Sequence, residues 1–333
     1  MKKGRTWVFD APAHILSFAS VGGRKEGEGP LCDGFDILGE DNRFGEKTWE
    51  KAESRMVYLA CKKAAEKAEL PLSEIGCFLG GDLLDQCVST AFALRELAIP
   101  TIGLYGACST MAESLALGAA LLEAKVEETA LCAATSHFCS AERQYRFPLE
   151  YGGQRPQTSQ WTATASGAVL LGKSGKVKIS SATVGKIYDI GIKDANNMGA
   201  AMALAAFETI KTHFEDTKTK PSDYDLIVTG DLSAVGKEIV EKLFFKEGVD
   251  MSLVYNDCGL MLYYHNGQDV HAGGSGCGCS AAVLCAKILP DMKKGLYKRV
   301  LFCGTGALLS PLTVQQGESI PGICHAIGLE AEI

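Results

Sequence analysis

The chain has 333 residues and carries 40 acidic against 33 basic side chains, a net charge of −7. That balance, with an isoelectric point near 5.5, argues against a nucleic-acid-binding surface. No run of 18 apolar residues occurs, so no membrane span is expected, and the start Met1–Asp10 lacks the apolar stretch of a secretory signal.

Along the chain, strand and helix patterns alternate. Trp49, Ala52, Met56, Leu59 and Ala64 fall at helical spacing and predict a helix over roughly 48–70. Gly76–Gly80 reads as a short buried strand, and Ser89–Ala98 as a helix closed by Pro100. Thr101–Tyr105 is a strand, Cys108–Ala124 a helix rich in Ala, Leu and Met, and Thr129–Thr135 a strand. The polar stretch from Phe138 to Gln160 carries Arg143, Arg146 and Arg155 and is expected to be a long loop, a kind of segment that is usually functional. Ala165–Leu171 is again a strand. The second half repeats the scheme: strand 224–229, helix 235–246, helix 279–294 and strand 299–304. Such alternation implies sheets covered by helices.

The repetition extends to motifs. Leu79-Gly80-Gly81-Asp82-Leu83 is echoed by Val228-Thr229-Gly230-Asp231-Leu232. Cys108, Ser109 and Cys132 recur as Cys279, Ser280 and Cys303, one offset of 171 residues (279 − 108). The Gly-Asp-Leu pair has an offset of 149 (231 − 82), so about 22 residues were added to the second copy between the two motifs. The ordered set argues for duplication, with halves at 1–178 and 179–333. No low-complexity linker parts them, so they should pack as one body with a seam.

The 13 cysteines are scattered and odd in number, and most lie in apolar runs, as reduced thiols packed like small hydrophobes do. Cys277-Gly278-Cys279 lacks the spacing and second ligand pair of a zinc site, so no metal is expected. Cys108 stands apart. Gly106-Ala107-Cys108-Ser109-Thr110 follows an apolar strand and opens a helix. A thiol there feels the positive end of the helix dipole, which favours thiolate, and nearby backbone N–H groups can hold an anion.

The Gly106–Thr110 turn, the Ala165–Leu171 strand and the duplicated layout resemble thiolases and ketoacyl synthases. That resemblance implies a five-layer αβαβα fold of two pseudo-symmetric halves. Longer stretches resemble one family within this group, stage V sporulation protein AD. They include Glu28-Gly29-Pro30-Leu31, Lys47-Thr48-Trp49-Glu50, Ala141-Glu142-Arg143-Gln144, Tyr151-Gly152-Gly153-Gln154, Asn256-Asp257-Cys258-Gly259, Gly273–Cys277 and Thr305–Pro311. The resemblance covers nearly the whole chain. It implies binding of dipicolinic acid (pyridine-2,6-dicarboxylate) for uptake into the developing spore. It also implies partners among the inner-membrane transport proteins of the same operon and a place inside the forespore or spore, free or against that membrane. Whether Ca²⁺ accompanies the ligand stays open.

The departures from the enzyme pattern set the functional class. Condensing enzymes pair the cysteine with a base from the second half. The turn that holds it in the enzymes reads Gly230-Asp231-Leu232-Ser233 here, and Gly230 accepts no proton. Nucleophilic catalysis needs nucleophile and base within hydrogen-bond reach. A non-catalytic binder is therefore expected, without a cofactor; the alternative is an acyltransferase loaded on Cys108. Cys108, Ser136, His137, Asp231 and Cys279 are expected around one cavity, with Asp82 nearby or in a mirrored buried role. Arg143 and Arg146 are the expected carboxylate donors. His14, His213, His265 and His325 are read as structural or surface residues. Thiolase-like proteins pair through the strand after the nucleophile helix, so a homodimer through Thr129–Thr135 is expected.

Overall fold

In the computed structural model, which describes residues 1–145 and 154–332, ten strands carry the architecture. The first half holds β1 (His14–Gly22), β2 (Cys77–Gly81), β3 (Thr101–Gly103), β4 (Ala130–Ser136) and β5 (Ala165–Gly172). The second holds β6 (Val177–Thr183), β7 (Leu226–Thr229), β8 (Tyr255–Asp257), β9 (Arg299–Ala307) and β10 (Gly322–Ala331). Their lateral order is β8-β7-β9-β10-β6-β1-β5-β4-β2-β3. From either end the order is third, second, fourth, fifth, first. In each half the fifth strand runs antiparallel to its neighbours, and the strands beyond it are parallel. The duplication read from the motifs is thus a duplication of topology. One residue pair, His14 with Lys178, joins the two five-stranded sheets.

The longer helices are α1 (Trp49–Lys67), α2 (Val88–Leu97), α3 (Thr110–Glu123), α4 (Phe138–Tyr145), α5 (Met198–Thr217), α6 (Ser233–Lys246) and α7 (Cys277–Val283, prolonged to Lys293). Three apolar cores show how they layer. Met56 and Ala60 of α1 and Leu94 of α2 pack on Phe78, Leu131 and Leu170. Met111 and Leu115 of α3 and Val283 of α7 pack with Leu79, Val228 and Phe302, between the sheets. Met202 and Ile210 of α5 and Val240 and Phe244 of α6 pack on Ile227 and Leu301. Neighbouring residues such as Phe78 and Leu79, or Leu301 and Phe302, go to opposite cores because strand side chains alternate faces. Sheets covered on both sides need continuous apolar strands, and those are what the sequence shows. The fold is the five-layer αβαβα arrangement of thiolase-like proteins.

Three expectations change. The segment after Phe138 is not all loop: its first eight residues form α4, where Ala141-Glu142-Arg143-Gln144 are all good helix formers. The last long helix contains a π turn at Leu284–Ile288, just before Pro290, whose missing N–H breaks the regular ladder. The strand expected to join two copies, β4, lies between β2 and β5 with both of its edges paired. The free edge of the first sheet belongs to β3, the strand before the nucleophile turn. The Ala-rich α5, at 198–217, has no counterpart among the expected elements. All thirteen cysteines are free thiols.

Candidate functional site

The site begins where β3 hands over to α3. Ala107 sits at φ +51°, in the left-handed region that a residue with a Cβ adopts at some cost, and the next residue is Cys108. The turn is held by Ser109 Oγ donating to Gly106 O (2.7 Å) and Thr110 Oγ1 donating to Ala107 O (2.7 Å). The second half presses against it through β9. A Cβ on Gly306 would come within 2.8 Å of Gly106 O, so only glycine lets the strand approach this closely.

From the second half comes Asp231, fully buried. Its Oδ1 accepts from Thr305 Oγ1 (2.7 Å). Its Oδ2 accepts from Ser275 Oγ (3.0 Å) and Gly276 N–H (3.1 Å). The Cys108 thiol is its fourth partner. Asp257 fixes the turn that presents it, accepting from Leu232 N–H, Ser233 N–H, Gly259 N–H and Thr229 Oγ1. The thiolate expected at the helix start is overturned. Burial first, then the Asp231 charge and Cys277, push the Cys108 thiol well above its ordinary value. Burial also raises Asp231, against the hydrogen bonds it accepts. A carboxyl group and a protonated thiol share the floor of the seam, and no imidazole stands between them.

Above that floor opens a cavity of about 210 Å³. Cys108 and Ser275 are at its base. Tyr105, Leu83, Ala141, Glu142, Tyr145 and Thr162 come from the first half, and Met198, Ala307, Leu308 and Leu309 from the second. Ala141 and Tyr145 face it together because they are one turn apart on α4. Tyr105 Oη lies 2.9 Å from Tyr145 Oη, and Tyr145 in turn donates to Leu83 O. Met198 brings the N-terminal turn of α5 to the wall, with its unpaired N–H groups and positive dipole end. The described lining contains no lysine or arginine.

The other expected site residues are placed as follows. Ser136 is buried beneath α7, donating to Ala163 O (2.7 Å) and accepting from Gly278 N–H (3.2 Å). Cys279 is buried in the central core, with its Sγ 3.2 Å from where a Cβ on Gly274 would lie. His137 does not line the cavity. Its Nδ1 accepts from Cys139 N–H (3.1 Å), which leaves Nε2–H to donate to Asn42 O (2.8 Å), and Trp49 covers the ring. Asp82 has the mirrored buried role, accepting from Leu84 N–H (2.9 Å) and Thr90 N–H (2.8 Å). The two described arginines of the set are dispersed because each finds its own carboxylate. Arg143 pairs with Glu50, and Arg155 pairs with Asp269 at 2.9 Å over the Trp161 ring. Arg146 lies outside the described residues. Among the described residues no group of three or more His, Cys, Asp or Glu could hold a metal ion.

His137 supports a test of its structural role. Burial pulls it from 6.5 to about 4. A folded value below the unfolded one means full stability above the unfolded value, and loss as pH falls from about 6.5 toward 4. At about 1.4 kcal/mol per unit, the loss from this one ring is roughly 3 kcal/mol. His213 and His325 are also pushed to about 4 and add loss of the same sign. Denaturant unfolding at about pH 7 and about pH 4.5 should show a smaller acid loss for His137→Gln than for the parent. An equal loss would mean that His137 is not held neutral by the fold.

Comparison with known proteins gives two kinds of match. The family profile of stage V sporulation protein AD matches residues 3–330. The stage V sporulation protein AD of Bacillus subtilis (strain 168) is 44% identical over 327 residues, covering 98% of this chain and 96% of that protein. Among solved structures, 3-oxoacyl-[acyl-carrier-protein] synthase III from Aquifex aeolicus VF5 superposes with a TM-score of 0.59 at 13% identity, covering 96% of this chain and 99% of that one. Cerulenin-bound OleA of Xanthomonas campestris gives 0.61 at 16% identity, covering 99% of both chains. At those identities the two enzymes are similar in fold.

Proposed function

The chain belongs to the stage V sporulation protein AD family, and from that premise we propose that it binds dipicolinic acid in the sporulating cell without catalysing a reaction. One observation carries the reading. The partner that reaches the Cys108 thiol is the Asp231 carboxyl group, where a condensing enzyme needs a base for its nucleophile. A thiol pushed up by burial and by a carboxyl neighbour is a poor nucleophile. Binding has no such requirement. The cavity offers apolar walls to a flat ring. It offers the start of α5 to a carboxylate edge, and the hydroxyls of Tyr105, Tyr145, Thr162 and Ser275 can turn to a ligand only by leaving Tyr145, Leu83, Glu142 and Asp231. The reading extends to uptake into the spore together with inner-membrane transport proteins of the same operon. No described helix is long and apolar enough to cross a membrane itself.

The test sets two probes side by side. Whole-protein mass after exposure to acyl-coenzyme A should show no stoichiometric acylation of Cys108, and a calorimetric titration with dipicolinate should saturate. Steady thioester turnover that Cys108→Ser abolishes, with no dipicolinate binding, would return the chain to the acyltransferases.

We also propose a homodimer, joined at β3. All three of its residues are exposed, Ile102 by 49%, and a Cβ on Gly103 would meet nothing within 4 Å. Its counterpart in the other half, β8, is buried at Tyr255 and Asp257. An open strand edge is a template for pairing with a second chain. The hydrogen bonds Phe78 N–H to Pro100 O and Leu104 N–H to Gly80 O show that even-numbered residues bond inward, which leaves Gly103 N–H facing outward. Light scattering at micromolar concentration should give a two-chain mass for the parent and a one-chain mass for Gly103→Pro. A one-chain mass for the parent would contradict the dimer.

A further inference from the structure

A second cavity, of about 160 Å³, lies between the C-terminal end of α5, the strands β6 and β10, and the N-terminal segment. It opens where β6 carries a bulge, between Ile179 and Ser181 in its pairing with β10. Bulges re-aim side chains and are frequent beside sites.

The floor is a chain of hydrogen bonds whose direction is fixed at one end. Asp216 Oδ2 accepts from the backbone N–H of Arg5 (2.8 Å), the backbone N–H of Thr6 (3.1 Å) and the Thr6 hydroxyl (2.9 Å). With its proton committed there, Thr6 Oγ1 accepts from Thr183 Oγ1 at 2.8 Å. Thr183 has then given its own proton, so it accepts from His213 Nδ1–H at 2.7 Å. Burial pulls His213 down to about 4, so the ring is neutral and Nε2 is an acceptor. Nε2 accepts from Tyr224 Oη–H at 2.8 Å. Every donor along the line points toward Asp216. Tyr224 therefore turns lone pairs, not a proton, to the cavity. Thr217 Oγ1 donates to His213 O (2.6 Å), so the Thr219 hydroxyl gives its one proton to Thr217 Oγ1 at 2.8 Å, and Tyr224 Oη, 3.2 Å from Thr219 Oγ1, keeps its lone pairs.

The mouth has the opposite character. Arg299 lies 5.1 Å from the centre of the Tyr224 ring, and Lys3 stands on the cavity wall. Arg299 Nε is 3.7 Å from Glu330 Oε1, and its two terminal nitrogens have no hydrogen bond among the described residues. The Arg299 guanidinium, which shares its charge with Glu330 on the same wall, and Lys3 stand across from an acceptor floor over a space sized for one small ion.

We infer that this cavity is a second ligand site, separate from the one above Cys108, for a small oxyanion that carries its own O–H, hydrogen phosphate being the type. Its charged oxygens accept from Arg299 and Lys3, and its hydroxyl donates to Tyr224 Oη. Sulfate has the same shape but no proton at neutral pH, so its lone pairs would meet those of Tyr224. A site with a buried acceptor rejects a ligand that leaves it unpaired.

Calorimetric titration of the full chain at neutral pH and constant ionic strength tests this with inorganic phosphate and sulfate. Phosphate should bind roughly tenfold or more tightly than sulfate. Arg299→Gln should weaken phosphate by a similar factor while dipicolinate binding stays as in the parent. Tyr224→Phe should bring the phosphate-to-sulfate ratio close to one. Sulfate binding as tightly as phosphate, no phosphate binding by the parent, or an Arg299→Gln variant that binds phosphate like the parent would each overturn the assignment. The sulfate and Arg299→Gln arms stand even if Tyr224→Phe fails to fold.

Discussion

Replacing Cys108 with tryptophan should abolish dipicolinate binding while leaving the protein folded. The side chain is 6% exposed and looks into a cavity of about 210 Å³, much of which an indole would fill. Affinity should fall by roughly a hundredfold or more, beyond calorimetric detection at concentrations where the parent saturates. Cys108→Ser should lie within about threefold of the parent, because a hydroxyl also donates to Asp231 and frees a little space. Near-UV circular dichroism separates a blocked cavity from a broken fold. A tryptophan variant that binds normally would place the ligand elsewhere. A serine variant that loses binding would give the sulfur a chemical part and favour the acyltransferase reading.

Asp231→Ala should be among the most destabilising single changes in the chain. It leaves Thr305 Oγ1, Ser275 Oγ, Gly276 N–H and the Cys108 thiol without their acceptor, all inside the seam. Orphaned buried donors cost about 1–3 kcal/mol each when nothing replaces the acceptor. Partial relaxation and entry of water bring the expected loss to about 3–5 kcal/mol. Asp231→Asn should lose less, since its oxygen still accepts and the two hydroxyls can rotate. Urea unfolding measures both. A loss below about 1 kcal/mol for Asp231→Ala would mean that this carboxyl group does not organise the junction of the halves.

Much of the fold was legible because the duplication leaves marks that survive drift. Cys108-Ser109 and Cys279-Ser280 sit at matching helix starts, and the two Gly-Asp-Leu motifs follow matching strands β2 and β7. The added residues of the second copy fall mainly between β8 and α7, outside the sheet. What failed depends on neighbours that are distant in sequence. The lateral place of β4 follows from crossovers, so its nearness to Cys108 in the chain did not show that both its edges are paired. α4 was hidden by its polar surface, although Ala141 and Tyr145 carry the one-turn spacing of an inward face. Cys108 was legible from its turn and Asp231 from its motif. The walls were not: Tyr105, Met198 and Leu309 are ordinary residues whose meeting is decided by the packing of two halves. His137 and Arg143 have the right chemistry, but Asn42, Cys139 and Glu50 had already claimed it. No local pattern announces such partners.

A crystal structure of the protein soaked with dipicolinate tests the central claim most directly. The account predicts one planar ring above Cys108 and Ser275, beneath Tyr105 and Tyr145, with Cys108 unmodified. A ring bound away from that cavity, or an empty cavity at a dipicolinate concentration that saturates the protein in solution, would contradict it.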